Sequence, residues 1–292
     1  MIPREILSRV RQIEIRTQKV LNAVLAGEYK SVFKGRGMEF SEVRTYVDGD
    51  DVRTIDWNVT ARMGEPYVKK HVEERELTVM LVVDASASGS FGSVNKFKDE
   101  IAVELCALLA FSAIRNNDRV GMIIFTSGVE KFIPPKKGKN HVLRVIRELL
   151  YFKPQKKGTD IGEAIAFLNR VQTKKAVVFV VSDFAARNFE APLRVASRRH
   201  DVIAITLSDP REQAMVDIGL AEIEDPETGE TLLVDSSSAE FRAAFARETV
   251  RVRGTLQSFF RGAGIDEIPI TTDHDYVDPL VRFFRRRERQ LA

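Results

Sequence analysis

This sequence predicts an α/β fold with a doubly wound, mostly parallel sheet, one antiparallel edge strand and a small appended subdomain, and three observations carry that expectation. From Leu77 onward, short apolar runs alternate with longer amphipathic segments, the pattern of a mostly parallel sheet covered on both faces. The runs Thr78 to Val83 and Ala176 to Val181 are apolar almost throughout, as strands buried on both sides are. A chain of 292 residues, 44% hydrophobic and 30% charged, suits a soluble globular α/β domain with additions.

Taken in order, Ile6, Val10, Ile13, Val20 and Val24, with Leu21 and Leu25 beside them, recur at helical spacing. They predict an amphipathic helix over the first ~25 residues, ended near Gly27. From Ser31 to about Gly64 the chain is polar and shows few regular periods, with Gly35-Arg36-Gly37 and Asp48-Gly49-Asp50-Asp51 as turn signals. Pro66 to Val72 alternates like a strand. After the strand that ends at Asp84, a helix is expected over Lys96 to Arg115, then a strand at Val120 to Phe125 and its antiparallel return at Val129 to Ile133. Helices at His141 to Tyr151 and Ile161 to Val171 lead to the strand Ala176 to Val181. A helix at Ala191 to Arg199, a strand at Val202 to Leu207 and a helix at Ala239 to Phe260 follow. A short strand at Ile268 to Thr271 and a helix at Tyr276 to Arg286 close the chain. Between them, Leu220 to Val234, with Asp225-Pro226 and Gly229 at its middle, reads as an inserted β-hairpin.

Composition excludes several classes. No apolar run approaches the ~18 to 20 residues that cross a bilayer, and Met1-Ile2-Pro3-Arg4-Glu5 lacks a secretory apolar stretch, so no membrane span and a cytoplasmic location are expected. Cys106 is the only cysteine and lies in an apolar helical stretch, which predicts a buried structural thiol and excludes disulfides within the monomer. The net charge of +3 is modest, with local basic runs at Lys153 to Lys157 and Arg282 to Arg289. The second run reads first as a solvated helix end with arginines at the favourable end of the dipole.

The chemistry concentrates at Asp84-Ala85-Ser86-Ala87-Ser88, where one carboxylate and two hydroxyls leave the end of a buried strand together. Oxygen donors of this kind suit a hard divalent cation such as Mg2+, with Mn2+ as an alternative. Ligands of open parallel sheets bind beyond the carboxyl ends of the strands, and there the sequence also places Ser182-Asp183 and Gly158-Thr159-Asp160. Two carboxylates ~4 Å apart repel by about 4 kcal/mol at an effective dielectric of 20, so Asp84 and Asp183 converging would call for a cation or a proton. Each segment taken alone is also explained by helix capping.

Asp84, Ser86, Ser88, Thr159 and Asp183 together resemble the metal-ion-dependent adhesion site (MIDAS) of von Willebrand factor type A domains, over about Leu77 to Arg286. Upstream, Gly37-Met38-Glu39-Phe40, Val43-Arg44-Thr45-Tyr46, Gly49 to Trp57 and Ala61-Arg62 resemble the signature of the bacterial domain-of-unknown-function family 58 (DUF 58). These resemblances imply a non-enzymatic adaptor or chaperone-like protein whose Mg2+ site captures a partner's Asp or Glu. They also imply association with MoxR-type AAA+ ATPases. Lys153, Lys156 and Lys157 precede the Thr159 loop and would favour an acidic partner on the same rim. Residues 1–76 are expected to form a subdomain packing with the hairpin at 220–235, and residues 77–287 the A-type domain. Within the first, Tyr46 and Trp57 are expected to bury their rings, and Arg44, Arg53 and Arg62 to pair with Glu42, Asp50, Asp51 or Asp56.

Enzyme readings rank lower. A dehalogenase-type phosphoryl transferase needs a second Asp two residues after the strand-end Asp, where Ser86 stands. Gly138-Lys139 lacks the first glycine of a P-loop and is followed by Asn140, and no Gly-x-Ser-x-Gly or His-Glu-x-x-His motif is present. His71, His141, His200 and His274 show no ligand spacing. A metal-assisted phosphoester hydrolase using Asp84 and Asp183 is the enzyme alternative. Nucleic-acid binding through the arginines at the C-terminal end is a lesser one.

Overall fold

The computed structural model describes residues 4–20, 39–72, 76–93, 96–224 and 229–291. The elements in chain order begin with α1 (Arg4–Val20), β1 (Glu39–Thr45), a 3-10 turn (Val52–Thr54), α2 (Trp57–Met63) and β2 (Tyr67–Val72). There follow β3 (Thr78–Asp84), a 3-10 turn (Ala87–Ser90), α3 (Lys98–Arg115), β4 (Arg119–Phe125), β5 (Val129–Lys136), α4 (Lys139–Leu150) and α5 (Ile161–Val171). Next come β6 (Val177–Ser182), α6 (Glu190–Arg199), β7 (Asp201–Ser208), the single turn α7 (Pro210–Gln213), β8 (Leu220–Glu224) and β9 (Thr231–Asp235). The chain closes with α8 (Ala239–Ala263), β10 (Asp266–Thr271) and α9 (Val277–Leu291). The chain divides into two compact units, residues 33–77 and residues 1–32 with 78–292.

The larger unit is built on a six-stranded sheet of order β10-β7-β6-β3-β4-β5, parallel except for β5. The predicted fold class holds. Strand β3 lies at the centre because every residue from Val79 to Val83 is buried, and alternate side chains must leave on opposite faces. On one face Met80, Val82, Val178 and Val180 join Ile165 and Leu168 of α5, Leu193 of α6 and Phe260 of α8 in one core. On the other, α3 lies against β3 and β4, and α1 and α4 pack on α3. Cys106 of α3 is buried, as expected, and burial pushes its thiol up to about 12. The antiparallel return is longer than predicted and carries Pro134 and Pro135. Prolines are tolerated there because β5 is an edge strand.

The smaller unit pairs β1 with β2 in antiparallel register, Arg44 against Val68 and Thr45 against Tyr67. Sequence periodicity did not predict β1, whose residues are mostly polar and charged. Helix α2 starts at Asp56, whose side chain accepts from the Asn58 and Val59 amides, and ends at Gly64 in the left-handed region at φ 81°. Of the expected ion pairs, Arg44 to Asp50 forms with both guanidinium nitrogens at 2.8 and 2.6 Å. Asp51 caps the 3-10 turn through the Arg53 amide. Trp57 is a correction: its side chain is 67% exposed, because at the first turn of a two-turn helix the ring projects outward.

Helix α1 belongs to the larger unit rather than to a 1–76 subdomain. Ion pairs from Arg16 to Glu104 of α3, at 3.1 Å, and from Lys139 of α4 to Glu14, at 2.5 Å, tie it there. The hairpin β8–β9 is counted in the same unit. The expected end of the first helix near Gly27, with Leu21, Val24 and Leu25, and the Gly35-Arg36-Gly37 turn lie outside the described residues.

Candidate metal centre

Asp84 ends β3, and the parallel register that sets it level with Phe125 of β4 brings the carboxyl ends of β3, β4 and β6 together. Its Oδ1 accepts from the Ser86 amide at 2.9 Å and its Oδ2 from the Ser182 hydroxyl at 2.7 Å. Burial is the largest influence and pushes its carboxyl up to about 6, against the hydrogen bonds from Ser182 and Ser86. Ser86 is 5% exposed. It begins the 3-10 turn that folds Ser88 back, so that the Ser86 and Ser88 hydroxyls stand 3.0 Å apart.

Asp183 follows β6. Its Oδ1 accepts from the Ala185 amide at 3.1 Å and its Oδ2 from the Lys98 ammonium at 3.0 Å. The next residue, Phe184, takes a left-handed backbone at φ 57°, uncommon for a bulky side chain. Burial alone would raise the Asp183 carboxyl, but the Lys98 charge and the Ala185 amide outweigh it and hold the group below the usual range. Ser88 adds a small lowering influence on Asp183, and the Asp183 charge helps raise Asp84. Four of the five predicted residues are thus brought together.

Thr159 sits one residue before Asp160, the N-cap of α5, whose side chain accepts from the Glu163 amide. The Asp160 amide donates to the Thr126 carbonyl at 2.8 Å, immediately beyond the end of β4. The Thr159 loop therefore arrives at the end of the strand next to β3, and Gly158 makes its turn at φ 81°. Glu130 receives the Thr126 hydroxyl at 2.6 Å and the Gln155 and Lys156 amides at 2.8 and 3.2 Å. That network holds the exposed Lys153 to Lys157 segment at the same end of the sheet.

Two residues escaped sequence reasoning. Lys98, in the first turn of α3, is only 2% exposed and bridges Asp183 to Glu212 of α7 at 3.0 and 2.7 Å. Its position was a signal, because a lysine at a helix N-terminus opposes the dipole and needs a compensating partner. Asp209 follows β7 as the N-cap of α7 and is wholly buried. It accepts from the Ser93 amide at 2.8 Å, the Arg211 amide at 2.9 Å and the Ser93 and Thr272 hydroxyls. It thereby ties the loop that follows Ser88 to the ends of β7 and β10.

Among the described residues no cluster of three or more His, Cys, Asp or Glu could hold a metal, so hydroxyls would have to complete any donor set. The donors present fit a hard cation. Adjacent ligands of an octahedral Mg2+ ion, each about 2.1 Å from it, stand about 3.0 Å apart, the separation of the Ser86 and Ser88 hydroxyls. Asp84, Asp183 and Glu212 set against Lys98 leave two net negative charges, matched by one divalent ion. The centre is open on both flanks, to a cavity of about 580 Å³ past Asp84 and Ser86 and another of about 480 Å³ past Asp183, Phe184 and Phe259.

At the basic C-terminal end, Arg287 pairs with Asp201 at 2.6 Å and stacks on Phe283, a structural use for part of that charge. None of the described helices is long and apolar enough to cross a membrane.

Among solved structures, one shares the fold at a TM-score of 0.50. An aerotolerance-related membrane protein from Bacteroides fragilis is 19% identical, with a TM-score of 0.50 over 73% of this chain and 99% of that one. The SpRpn10 VWA domain is 14% identical, with a TM-score of 0.41 over 72% of this chain and 95% of that one. In sequence, the protein Rv1480 of Mycobacterium tuberculosis is 32% identical over 288 residues, 98% of this chain and 90% of that protein. A Mycobacterium avium protein, MAV169, is 29% identical over 162 residues, 54% of this chain and 94% of its own length. The family model described as "Protein of unknown function DUF58" matches residues 42–255, and the chain belongs to that family.

Proposed function

We propose that this protein is a metal-dependent interaction module whose strand-end centre captures an acidic side chain from a protein partner. The observation that carries the reading is the Ser86–Ser88 hydroxyl pair at 3.0 Å beside the buried Asp84, an arrangement of oxygens suited to Mg2+ or Mn2+. Bound there, a divalent ion would supply a positive coordination position open to a foreign carboxylate. Ser86, Ser88 and Thr159 would hold it directly. Asp84 and Asp183, whose oxygens already accept hydrogen bonds, would act through water. Lys153, Lys156 and Lys157 would speed the approach of an acidic surface.

The partner class is what the sequence resemblance implies: a MoxR-type AAA+ ATPase, with this chain as adaptor or chaperone-like component in the cytoplasm. Copurification with and without chelator, followed by identification of what elutes, tests it. Asp84→Ala should leave the fold intact and abolish divalent-dependent capture. Capture unchanged in chelator would overturn the reading. Turnover of phosphate monoesters or diesters with Mg2+ or Mn2+ would favour a hydrolase instead, and none is expected.

A further inference from the structure

We propose that Lys98 is the residue that keeps the metal-loaded centre receptive to a foreign carboxylate, by cancelling one of the three carboxylates around it. This rests on the metal reading above and adds the control of its charge. The Lys98 side chain is 2% exposed, and its ammonium lies 3.0 Å from Asp183 and 2.7 Å from Glu212. A cation so deeply buried is held there by its partners and cannot drift into solvent.

The charge balance gives the consequence. With Asp84, Asp183 and Glu212 ionised and Lys98 protonated, the empty centre carries a formal charge of minus two, and a divalent ion brings it to zero. Without the ammonium the empty centre stands at minus three and the loaded one at minus one. Lys98 therefore works in opposite directions on the two ligands. It weakens the hold on the metal and strengthens the attraction for an incoming anion, because at these separations each unit of charge acts through a partly buried medium. The Ser86 and Ser88 hydroxyls carry no charge and cannot supply this balance.

A residue that merely fastened α3 to the β6 and α7 ends would behave differently. Its loss would loosen the centre and weaken both ligands together. The split in sign separates the two roles.

The test is titration of Mg2+ into the full chain by calorimetry at pH 8, then titration of acetate into the Mg2+-saturated protein followed by NMR. Lys98→Met keeps the apolar stem and removes the charge; it should bind Mg2+ at least tenfold more tightly and acetate at least tenfold more weakly. Lys98→Arg should restore both values to within about threefold of the parent. Glu212→Gln, at a partly exposed position, adds the mirror image and decides the matter if Lys98→Met does not fold: weaker Mg2+, tighter acetate. Parallel losses in both ligands, or no change in either, would overturn the role given to Lys98 while leaving Mg2+-dependent acetate binding by the parent chain, and so the metal reading, intact. Absence of Mg2+ binding in the parent and in Lys98→Met alike would overturn both.

Discussion

Asp84, part-buried at the end of β3, and Asp209, fully buried just past β7, have their carboxyls driven in opposite directions. Asp84 is pushed up to about 6, since burial outweighs its hydrogen bonds from the Ser86 amide and the Ser182 hydroxyl. Asp209 has no exposed surface of its own, and the Ser93 and Thr272 hydroxyls and the Ser93 and Arg211 amides hold it down to about 2. Burial pushes both carboxyls up, and at Asp209 four donors overcome it where the two at Asp84 do not. Asp209 is a structural joint with four donors, whereas Asp84 has two, and Asp183 between them is paired with Lys98.

The largest expected effect comes from removing the buried ammonium of Lys98. In chelator, Lys98→Met should cost about 3 to 5 kcal/mol in urea unfolding, since it leaves Asp183 buried beside an apolar stem. Mg2+ should return part of that loss, and a variant as stable as the parent in chelator would mean that the ammonium does not balance Asp183. Next, Asp209→Asn should cost about 2 kcal/mol, as an amide cannot accept all four donors.

The same carboxylate also sets a pH dependence. Its folded value of about 2 lies below the unfolded 3.8, so the unfolded state binds the extra proton as the solution is acidified. The stability it contributes, on the order of 2 kcal/mol, is complete above pH ~4 and is lost as pH falls toward ~2. Asp209→Asn should flatten that limb of an acid unfolding curve. An unchanged curve would remove the contrast with Asp84.

A smaller effect is expected at Asp84. Asp84→Asn should change stability in chelator by no more than about 1 kcal/mol, or raise it, because the substitution relieves a buried charge that has too few donors. The thermal shift produced by Mg2+ in the parent should vanish in this variant. The smallest effect belongs to Arg44→Ala, which breaks the exposed pair with Asp50. No resolvable change in Tm is expected, in contrast to the buried lysine.

Legibility followed sequence distance. Asp84, Ser86 and Ser88 were readable because one strand end presents all three. Asp183 was readable as a residue at the end of a predicted strand, and the Thr159 loop as one that reaches the end of β4. Lys98 was legible only as a lysine in a helix's first turn that needs a partner, because the partners themselves lie 85 and 114 residues away. The Ser93 to Asp209 joint spans 116 residues and was equally hidden. Trp57 failed in the other direction, since aromatic character favours burial but cannot say which way a short helix turns its ring.

Apolar periodicity by itself determined that strands and helices alternate, that β3 and β6 lie inside the sheet, and that hydroxyls and carboxylates leave their ends. Those are local properties, set by which side chains avoid water and how the backbone repeats. Only the tertiary structure decided which carboxylates acquired a neutralising partner, because the electrostatic environment of a buried group depends on what distant segments place within a few ångströms of it. Lys98 beside Asp183, the four donors around Asp209 and the raised carboxyl of Asp84 are decisions of that second kind.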